Sequence, residues 1–577
     1  MFQKVLIANR GEIAVRIIRA CHSLGIQTVM VYAEDDRQGL AVKLATEAYL
    51  LPGSTLAETY LNIDALVEIA QRSGAEAVHP GYGFLSENPL FVEACQAAGL
   101  KFLGPDAEVM RKMGSKVEAR KHMEAAGVPI TPGSPPLTHQ QDAEAWANTI
   151  GYPILLKASA GGGGRGMKKV HRPEDLADAF AAAKREGEAY FGDGTIYMEK
   201  FVEKPRHVEV QILGDTHGNV VHLGERDCSV QRRNQKLVEE SPAPHLPPEV
   251  RQVLLDAAVK GAKALNYTGA GTFEFVVQNN RDVYFMEVNT RLQVEHPVTE
   301  MVTGRDLVRE QLRIAAGLPI SFQQEDIRFQ GSAIECRITI EDAHQNFRPV
   351  PGKVGRIQEP CGPWVRVDSM LQANYEIPGA YDSLVAKLIV WGNDRTEALA
   401  RLQQALKEYT IEGVTTLIPF FQWITTEPHF ASGHFDTHFL DNHFSADLLG
   451  EAVTPQEIDD SPAQIREVME MEVNGKRFEV AVYKDAPLNK KSLRPGGGKK
   501  EKGGGGNPNE IRSPMAGTLV KVSTEAGQTV AKGQIAFVIE SMKMENDILT
   551  AREGEIKEVA VEVGQKVQAG DLLLTFA

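Results

Sequence analysis

The spacing of apolar residues changes along the chain between strand-like and helix-like patterns, which predicts a mixed α/β protein. Near the N-terminus, Lys4 to Ala8 has the pattern of a buried strand, Glu12 to Leu24 that of a helix, and Gln27 to Tyr32 that of a second strand. This β-α-β order is typical of a doubly wound sheet. The intervening turn reads ANRGEIA rather than GxGxxG, so it gives only weak support for a dinucleotide site.

A boundary between compact units is predicted near Met113. Ser115 and Glu118 have the S-x-x-E spacing of a capping box, which predicts a helix that Gly127 and Pro129 end. Mixed strand and helix patterns then continue to about residue 330. At 577 residues the chain is too long for one hydrophobic core, so several units are expected.

A further α/β stretch covers residues 331 to 445, and we expect it to close against the preceding unit. It contains strand patterns over Ala333 to Ile338 and Leu384 to Trp391, and a helix pattern over Arg395 to Tyr409. Beyond it, EMEVNGKRFEVAVY predicts a hairpin whose turn is Asn474-Gly475.

The segment DAPLNKKSLRPGGGKKEKGGGGNPNE follows the hairpin and is dense in glycine and lysine. It has almost no large apolar residues with which to offset the entropy of ordering, so we expect a flexible tether. Its roughly 26 residues give a root-mean-square span of about 25 to 30 Å and a stretched reach of about 85 Å. Such a tether suits a domain that has to move.

The last 65 or so residues contain an internal repeat. Gly517, Gly527 and Gly533 recur as Gly554, Gly564 and Gly570, each 37 positions later. Two equivalent β units related by a pseudo-twofold axis predict a flattened antiparallel barrel with glycines at its turns. Lys543, within ESMKMEN, lies at the midpoint of the repeat, where the chain passes from the first half to the second.

A lysine that projects from the turn of a small rigid barrel suits the covalent attachment of a swinging cofactor. The alternatives are an exposed surface lysine without a special role, or the attachment site of a lipoyl domain, which has the same architecture. The tether and the internal symmetry favour attachment at Lys543 over an ordinary surface lysine.

Two features of the central part suggest nucleotide chemistry. SAGGGGRGMKKV, at 159–170, can bring backbone N–H groups close to phosphate oxygens, although a glycine-rich surface loop would look the same. The strand patterns GTFEFVV and VYFMEVNTRLQVEHPVTE carry Glu274, Glu287 and Asn289, oxygen ligands of the kind that Mg²⁺ shares with ATP phosphates. These carboxylates could instead form isolated salt bridges. However, two or more carboxylates in a half-buried sheet need a counter-charge, which favours a metal site.

Composition excludes some classes of function. A formal charge of −15 argues against a partner bound through its phosphate backbone, so nucleic acid is not expected. The five cysteines are scattered without metal or disulfide spacings, and no apolar run approaches the roughly 18 residues that span a bilayer. The N-terminus has no secretory signal pattern, so we expect a cytoplasmic protein with reduced thiols and no membrane partner.

The C-terminal segment resembles the biotin carboxyl carrier family, whose signature is MKM around the modified lysine. Lipoyl domains usually have Asp before their lysine and Ala after it. Ser541 stands where Ala is commoner, and the thumb insertion of some stand-alone bacterial carriers is absent. The resemblance therefore implies biotin on Lys543, attached by a biotin protein ligase.

Residues 1 to about 445 resemble the biotin carboxylases of the ATP-grasp superfamily. The likeness is carried by the glycine-rich loop and acidic strands above, and by MGSKVEAR, MEKFVEKPRHVEVQ and ERDCSVQRRNQKLVEE. It implies a Rossmann-like pre-ATP-grasp domain (1–114), an ATP-grasp domain with a glycine lid (115–330) and a biotin carboxylase C-terminal domain (331–446). A linker with the short hairpin (447–510) and the all-β biotinyl domain (511–577) would complete the chain.

The same resemblance implies a set of site residues. The ATP site would comprise Lys116, Lys157, Gly161, Gly162, Gly163, Gly164, Arg165, Gly166, Glu199, Val202, His207, Gln231 and Asn234. The ligands of Mg²⁺ or Mn²⁺ would be Glu274, Glu287 and Asn289, and the bicarbonate pocket would contain Lys236, Arg291, Gln293, Val294 and Glu295. Glu295 would be the general base and Arg337 would lie beside the ureido oxygen of biotin, with Lys236 and Arg291 completing the catalytic group. Asn234 stands where many family members have His, which could alter nucleotide affinity or its pH dependence.

The expected reaction is carboxylation of biotin by ATP and bicarbonate through carboxyphosphate. Because no carboxyltransferase sequence remains, a separate β subunit would pass the carboxyl group on, as in the α subunits of acetyl-CoA and propionyl-CoA carboxylases. A subunit of a pyruvate or other 2-oxo acid carboxylase is an alternative, as are a different ATP-grasp ligase and a non-catalytic carrier scaffold. A biotin carboxylase dimer within a larger hetero-oligomer is the assembly that the resemblance suggests.

Overall fold

A computed structural model describes residues 1–577 except 138, 159–166, 192–193, 451–463, 474–475, 486–508, 516, 542–543 and 568–569. The predicted glycine-rich loop from Gly161 to Gly166, most of the predicted tether, the Asn474-Gly475 turn and Lys543 therefore lie outside the described residues.

The first unit is a parallel sheet flanked by helices, as its β-α-β pattern predicts. Its elements are β1 Lys4–Ile7, α1 Gly11–Ser23, β2 Gln27–Tyr32, α2 Leu40–Leu44, β3 Glu47–Leu50, α3 Ile63–Ser73, β4 Ala77–His79, α4 Pro89–Ala97, β5 Lys101–Phe102 and α5 Ala107–Gly114. The strand order is β3-β2-β1-β4-β5, with all neighbours parallel. Asn9 and Tyr82, which follow the carboxyl ends of β1 and β4, line one cavity of the protein, at the edge where ligands usually bind in open α/β sheets.

The second unit begins with the predicted helix after Ser115. Its elements are α6 Lys116–Ala125, α7 Gln140–Ile150, β6 Ile154–Ala158, β7 Met167–Val170, α8 Leu176–Phe191, β8 Ile196–Lys200, β9 Arg206–Gly214, β10 Val220–Arg232, β11 Gln235–Ser241, α9 Pro248–Ala264, β12 Gly269–Gln278, β13 Asp282–Asn289, α10 His296–Thr303 and α11 Leu307–Ala315. The Ser115 side chain accepts a hydrogen bond from the Glu118 backbone N–H, whereas the Glu118 carboxylate pairs with Lys121 at 3.0 Å. Strands β7, β6 and β8 form a small separate sheet.

The third unit continues the main sheet of the second. Its elements are β14 Ser332–Thr339, β15 Glu341–Asp342, β16 Arg348–Pro349, β17 Ile357–Gln358, β18 Val365–Ser369, β19 Leu384–Gly392, α12 Arg395–Glu408, β20 Thr410–Ile411, α13 Ile418–Ile424, α14 Pro428–Ser432 and α15 Phe439–His443. The pairing of β11 with β14 joins both units in an eight-stranded sheet of order β13-β12-β9-β10-β11-β14-β19-β18. Polar groups from both units can therefore meet on one rigid surface.

The predicted hairpin and the C-terminal domain follow. The hairpin strands are β21 Gln464–Val473 and β22 Lys476–Asp485, paired from Gln464 with Asp485 to Val473 with Lys476. The C-terminal strands are β23 Glu510–Arg512, β24 Gly517–Val522, β25 Thr529–Val530, β26 Ile535–Ser541, β27 Met544–Leu549, β28 Gly554–Val559, β29 Lys566–Val567 and β30 Leu572–Phe576.

The C-terminal domain has the predicted twofold character. Strands β28 and β29 begin and end 37 positions after β24 and β25. The strand orders of the two four-stranded sheets are β27-β26-β24-β29 and β23-β30-β28-β25. In the first sheet β24 pairs with β29, and in the second sheet their equivalents, β28 and β25, pair in the same way. Gly527, Gly533, Gly564 and Gly570 all have φ between 83° and 93°, the left-handed region that glycine adopts without strain.

Two expectations from composition can be compared with the structure. Within the described ranges, no helix is long and apolar enough to cross a membrane. The five cysteines are free, and all except Cys361 are buried.

Candidate active site

Those predicted ATP, metal and bicarbonate residues that the structure describes line two adjoining cavities. The first, of about 610 Å³, is lined by Lys116, Lys157, Glu199 and Val202 among others. The second, of about 590 Å³, is lined by the following predicted residues: His207, Gln231, Asn234, Lys236, Glu274, Asn289, Arg291, Gln293, Val294, Glu295 and Arg337. Glu287 lines both cavities, so the two spaces are adjacent.

The first cavity combines cations with an apolar slot. Lys157, on β6, forms an ion pair with Glu199 on β8, and Arg120 approaches the other Glu199 oxygen, with Nη1 to Oε1 at 3.3 Å. Val202 and Phe285 contribute apolar walls. A flat aromatic base beside two anchoring lysines, Lys116 and Lys157, would suit this space, because charge fixes the phosphates while the walls cover the ring.

Glu274 and Glu287 are directly opposite each other on β12 and β13. Burial would raise the pKa of Glu274, but Lys236 and His207 outweigh it and hold that pKa well below its ordinary value. The pKa of Glu287 is raised, first by burial and then by the negative charge of Glu274. Two carboxylates placed this way repel each other, and a divalent cation between them would remove the repulsion.

Asn289 takes part in the same cluster. Its Nδ2 donates to Glu274 Oε1 at 2.7 Å, so its amide lies close to the acidic pair. The donor set of two carboxylates and one amide oxygen consists of the hard oxygen ligands that magnesium prefers, and the residues therefore fit that ion.

Lys236 joins three buried carboxylates at the centre of the second cavity. Its Nζ lies 2.7 Å from Glu209 Oε2, 3.0 Å from Glu274 Oε1 and 2.7 Å from Glu295 Oε1. Burial would lower the pKa of Lys236, but these anions raise it well above its ordinary value. Lys236 is consequently charged throughout the physiological range.

Glu295 is held by a cation on each carboxylate oxygen. Lys236 contacts Oε1, and Arg337 Nη2 donates to Oε2 at 2.9 Å. Burial would raise the pKa of Glu295, but the charges of Lys236, Arg337 and Arg226 outweigh it and lower that pKa. Glu295 is therefore an ionised carboxylate, able to accept a proton.

The segment between β13 and α10 supplies the other predicted pocket residues. Arg291 pairs with Glu87, Nε to Oε2 at 2.9 Å, and its Nη2 donates to Asn289 Oδ1 at 3.0 Å. Gln293 Nε2 donates to Glu274 Oε1 at 2.7 Å. These contacts fix the segment from both neighbouring strands and from the N-terminal domain.

A third cavity, of about 730 Å³, adjoins the second. Arg337 and Asn234 line both, and Tyr82 and Tyr381 line the third alone. Asn234 occupies a two-residue turn between β10 and β11 with φ of 66°, a left-handed conformation that asparagine tolerates better than most residues.

Sequence reasoning missed five residues that shape the site. They are Glu87, Glu209, Arg226, Glu239 and Lys387. A signal existed for Glu209, because His207, Glu209 and Gln211 alternate with Val208 and Val210, a strand-like pattern that places three polar side chains on one face. The others depend on tertiary contacts that local patterns do not specify.

The described strands around Lys543 agree with the predicted position of the attachment turn. Strands β26 and β27 pair as far as Ser541 with Met544. Lys543 itself lies outside the described residues, so its attachment role stays a prediction.

Four parts of the chain match known family models. Residues 1–110 match the biotin carboxylase N-terminal domain, 115–323 the carbamoyl-phosphate synthase L chain ATP-binding domain, and 335–442 the biotin carboxylase C-terminal domain. Residues 509–576 match the domain of biotin-requiring enzymes.

Individual relatives agree with this domain order. Biotin carboxylase 1 of Bacillus subtilis (strain 168) is 50% identical over 78% of this chain and 100% of its own. The biotin-dependent acyl-coenzyme A carboxylase alpha3 subunit of Mycobacterium leprae (strain TN) is 42% identical over 99% of this chain and 98% of its own. A crystal structure of the biotin carboxylase domain dimer of Hydrogenobacter thermophilus 2-oxoglutarate carboxylase, with MgADP, ADP and bicarbonate, has a TM-score of 0.72 and 48% identity, and covers 78% of this chain and 100% of that one.

The chain belongs to the biotin carboxylase family and carries its own biotinyl domain. It is an ATP-grasp ligase that uses ATP, magnesium and biotin. The predicted fold class and enzyme class are confirmed, against the alternative of a non-catalytic scaffold.

Proposed function

We propose that this chain carboxylates biotin on Lys543 of its own carrier domain, with ATP, Mg²⁺ and bicarbonate, and that a separate carboxyltransferase subunit transfers the carboxyl group to acetyl-CoA or propionyl-CoA. The observation that carries the first half is the grouping of Lys236, Arg291, Glu295 and Arg337 in one cavity. That cavity adjoins the lysine-lined first cavity, and Glu287 lines both.

In the first step, Lys236 and Arg291 hold bicarbonate and Glu295 takes its proton. The ionised state of Glu295 supports this role, and a positioned general base typically contributes 10²- to 10⁴-fold to a rate. The deprotonated oxygen attacks the γ-phosphorus of ATP, ADP leaves, and carboxyphosphate forms. Lys116, Lys157 and the loop from Gly161 to Gly166 bind the ATP phosphates.

Glu274, Glu287 and Asn289 would hold magnesium, which when bound neutralises charge on the phosphates during transfer. Glu199 and Val202 lie beside the adenine, and His207, Gln231 and Asn234 near the ribose and phosphates. The pKa of His207 is raised, because the neighbouring Glu274 outweighs the effect of burial, so this histidine can present a positive charge. These roles follow the family resemblance residue by residue.

Carboxyphosphate decomposes to CO₂ and phosphate within the second cavity. When attached, biotin would supply a ureido nitrogen to bond to CO₂, and the proton displaced from that nitrogen would pass to the phosphate. Arg337 lines both the second and the third cavities, so its guanidinium is placed to stabilise negative charge on a ureido oxygen that enters from the third. Gln293 and Val294 complete the wall of the bicarbonate pocket.

An acyl-CoA acceptor is supported by the relative from Mycobacterium leprae, since the similarity to that acyl-CoA carboxylase subunit extends through the linker and carrier to 99% of this chain. A 2-oxo acid acceptor is the second candidate, favoured by 48% identity to a 2-oxoglutarate carboxylase domain over 78% of the chain. We also infer that the biotin carboxylase part forms a dimer, as that relative does, and that a biotin protein ligase modifies Lys543.

The test is to incubate biotinylated full-length chain with ATP, Mg²⁺ and labelled bicarbonate. We expect acid-labile label on the protein, none on a Lys543→Ala variant, and none on a Glu295→Gln variant. The Lys543→Ala variant should still label free biotin, which makes it the control for an intact active site. Unlabelled wild-type protein whose biotin is verified by mass spectrometry would contradict the proposal. The acceptor is then identified by pulldown of the partner subunit and screening of acyl-CoA and 2-oxo acid substrates.

A further inference from the structure

Arg337 is held by two buried carboxylates, and only one of them has a role in the reaction described so far. Its Nε donates to Glu239 Oε1 at 2.6 Å, and its Nη2 donates to Glu295 Oε2 at 2.9 Å. Glu239 is fully buried on β11, and its other oxygen, Oε2, has no hydrogen-bond partner among the described residues. Within the described part of the chain, the Glu239 carboxylate therefore accepts its side-chain hydrogen bond from Arg337 alone.

The two contacts differ in what happens to them during catalysis. When Glu295 accepts the bicarbonate proton it becomes neutral, and its charge-assisted bond to Arg337 weakens. Glu239 is not among the residues that line the bicarbonate cavity, so it does not receive this proton, and above pH 7 it stays charged. Because β11 and β14 pair in register, with Glu239 opposite Glu335, the Glu239 carboxylate is attached to the same rigid sheet as Arg337.

We propose that Glu239 is the positioning residue that keeps the Arg337 guanidinium directed into the cavity while Glu295 is protonated. This inference rests on the proposed function, because it assumes that Arg337 stabilises the ureido oxygen. Glu239 acts through Arg337 and does not touch the substrate. Its removal should affect the step that involves biotin more than the binding of ATP.

The ionisation of Glu239 provides an independent readout. Burial raises the pKa of Glu239 to about 7, with Arg337 opposing and Glu295 adding to the shift. The charged and titratable groups around it are Arg337, Glu335 and the Cys336 thiol on β14, Glu295 before α10, Lys236 on β11 and the Cys228 thiol on β10. Glu239 is therefore charged above pH 7 and largely neutral at pH 6, where it should hold Arg337 no better than a glutamine.

Glu335→Gln is a matched control for Glu239→Gln. Glu335 is also fully buried, lies on the adjacent strand opposite Glu239, and has neither carboxylate oxygen hydrogen-bonded within the described residues. Burial raises its pKa well above the ordinary value, so it is a neutral acid that glutamine closely imitates. The two variants make the same chemical change at neighbouring buried positions, but only one of those positions contacts Arg337.

The experiment measures carboxylation of free biotin by the full-length Lys543→Ala chain, alone and with each added change. At pH 8, Glu239→Gln should lower kcat/KM for biotin about 10- to 100-fold, the usual weight of a charge-assisted hydrogen bond, with KM for ATP within about twofold. At pH 6 the difference from the parent should shrink to about threefold or less. Glu335→Gln should stay within about threefold of the parent at both pH values.

A loss below threefold at pH 8, an unchanged ratio between pH 6 and pH 8, or an equal loss in Glu335→Gln would overturn the proposal. If Glu239→Gln does not fold, Glu239→Asp serves instead, because aspartate keeps the charge. This variant should show a smaller loss of kcat/KM for biotin, and the loss should be larger at pH 8 than at pH 6. A loss of the same size at both pH values would contradict the proposal. A parent chain that fails to carboxylate free biotin would overturn the proposed function as well, so the two failures are distinguishable.

Discussion

Arg226→Met should destabilise the biotin carboxylase part strongly, although Arg226 itself does not line the three cavities described above. Arg226 is fully buried on β10, and its Nε donates to Glu209 Oε1 at 2.6 Å. Its other nitrogens donate to Gln211, Thr299, Thr272 and Gln293 at 2.8 to 3.5 Å. The substitution keeps most of the side-chain volume but leaves Glu209 with Lys236 as its remaining cation.

Removing one partner of a buried ion pair lowers the free energy of unfolding by about 3 to 5 kcal/mol. Because Lys236 still compensates Glu209, we expect the lower end, about 3 kcal/mol. Adding Glu209→Gln removes the uncompensated charge, so the double variant should recover about 1 to 2 kcal/mol relative to Arg226→Met alone.

The assay is urea unfolding of the full chain, followed by tryptophan fluorescence. The four tryptophans are Trp146, Trp364, Trp391 and Trp423, so the signal reports on the biotin carboxylase part and not on the carrier. A destabilisation of Arg226→Met below about 1 kcal/mol, or a double variant no more stable than Arg226→Met, would refute the reasoning from uncompensated charge.

Two further predictions concern binding. Lys387 is fully buried on β19, and its Nζ lies 2.9 Å from the Val294 carbonyl oxygen and 3.2 Å from Glu12 Oε1. Lys387→Met removes both contacts, so the segment between β13 and α10 should become less firmly held. We therefore expect KM for bicarbonate to rise about tenfold. Steady-state kinetics with varied bicarbonate would show this, and an unchanged KM would contradict it. Asn234→His introduces a group with an ordinary pKa of about 6.5 that is charged below that pH, so ATP should bind this variant more tightly relative to wild type at pH 6 than at pH 8. Titration calorimetry giving parallel pH dependences would disprove the effect.

Much of the fold was predictable because its signals are local or periodic. The shift of 37 positions between Gly517 and Gly554 corresponds to strands that occupy equivalent places in two sheets. The β-α-β opening was predicted to within a residue or so at each end. The continuity of the main sheet was not predicted, because the pairing of β11 with β14 joins residues about a hundred positions apart and leaves no mark on either local pattern.

The same distinction applies to the site. Glu274 and Glu287 were predicted to lie on strands, but only the register makes them direct neighbours and raises the pKa of Glu287. Lys387 contacts Val294 across 93 positions of sequence, and its own strand is otherwise a plain apolar run. Lys387 is buried because it binds Val294 and Glu12, and these contacts form only in the folded protein. The sequence around Lys387 therefore could not predict its role.

In the proposed reaction, the clamp on Glu295 couples its basicity to the presence of substrate. Lys236 and Arg337 lower the pKa of Glu295, which makes the free carboxylate a weak base. Bicarbonate is itself an anion and competes with Glu295 for Lys236, so its arrival reduces the positive charge acting on the carboxylate and raises the pKa of Glu295. The base thus gains strength at the moment when its proton donor is in place, and a site without bicarbonate holds Glu295 ionised and paired.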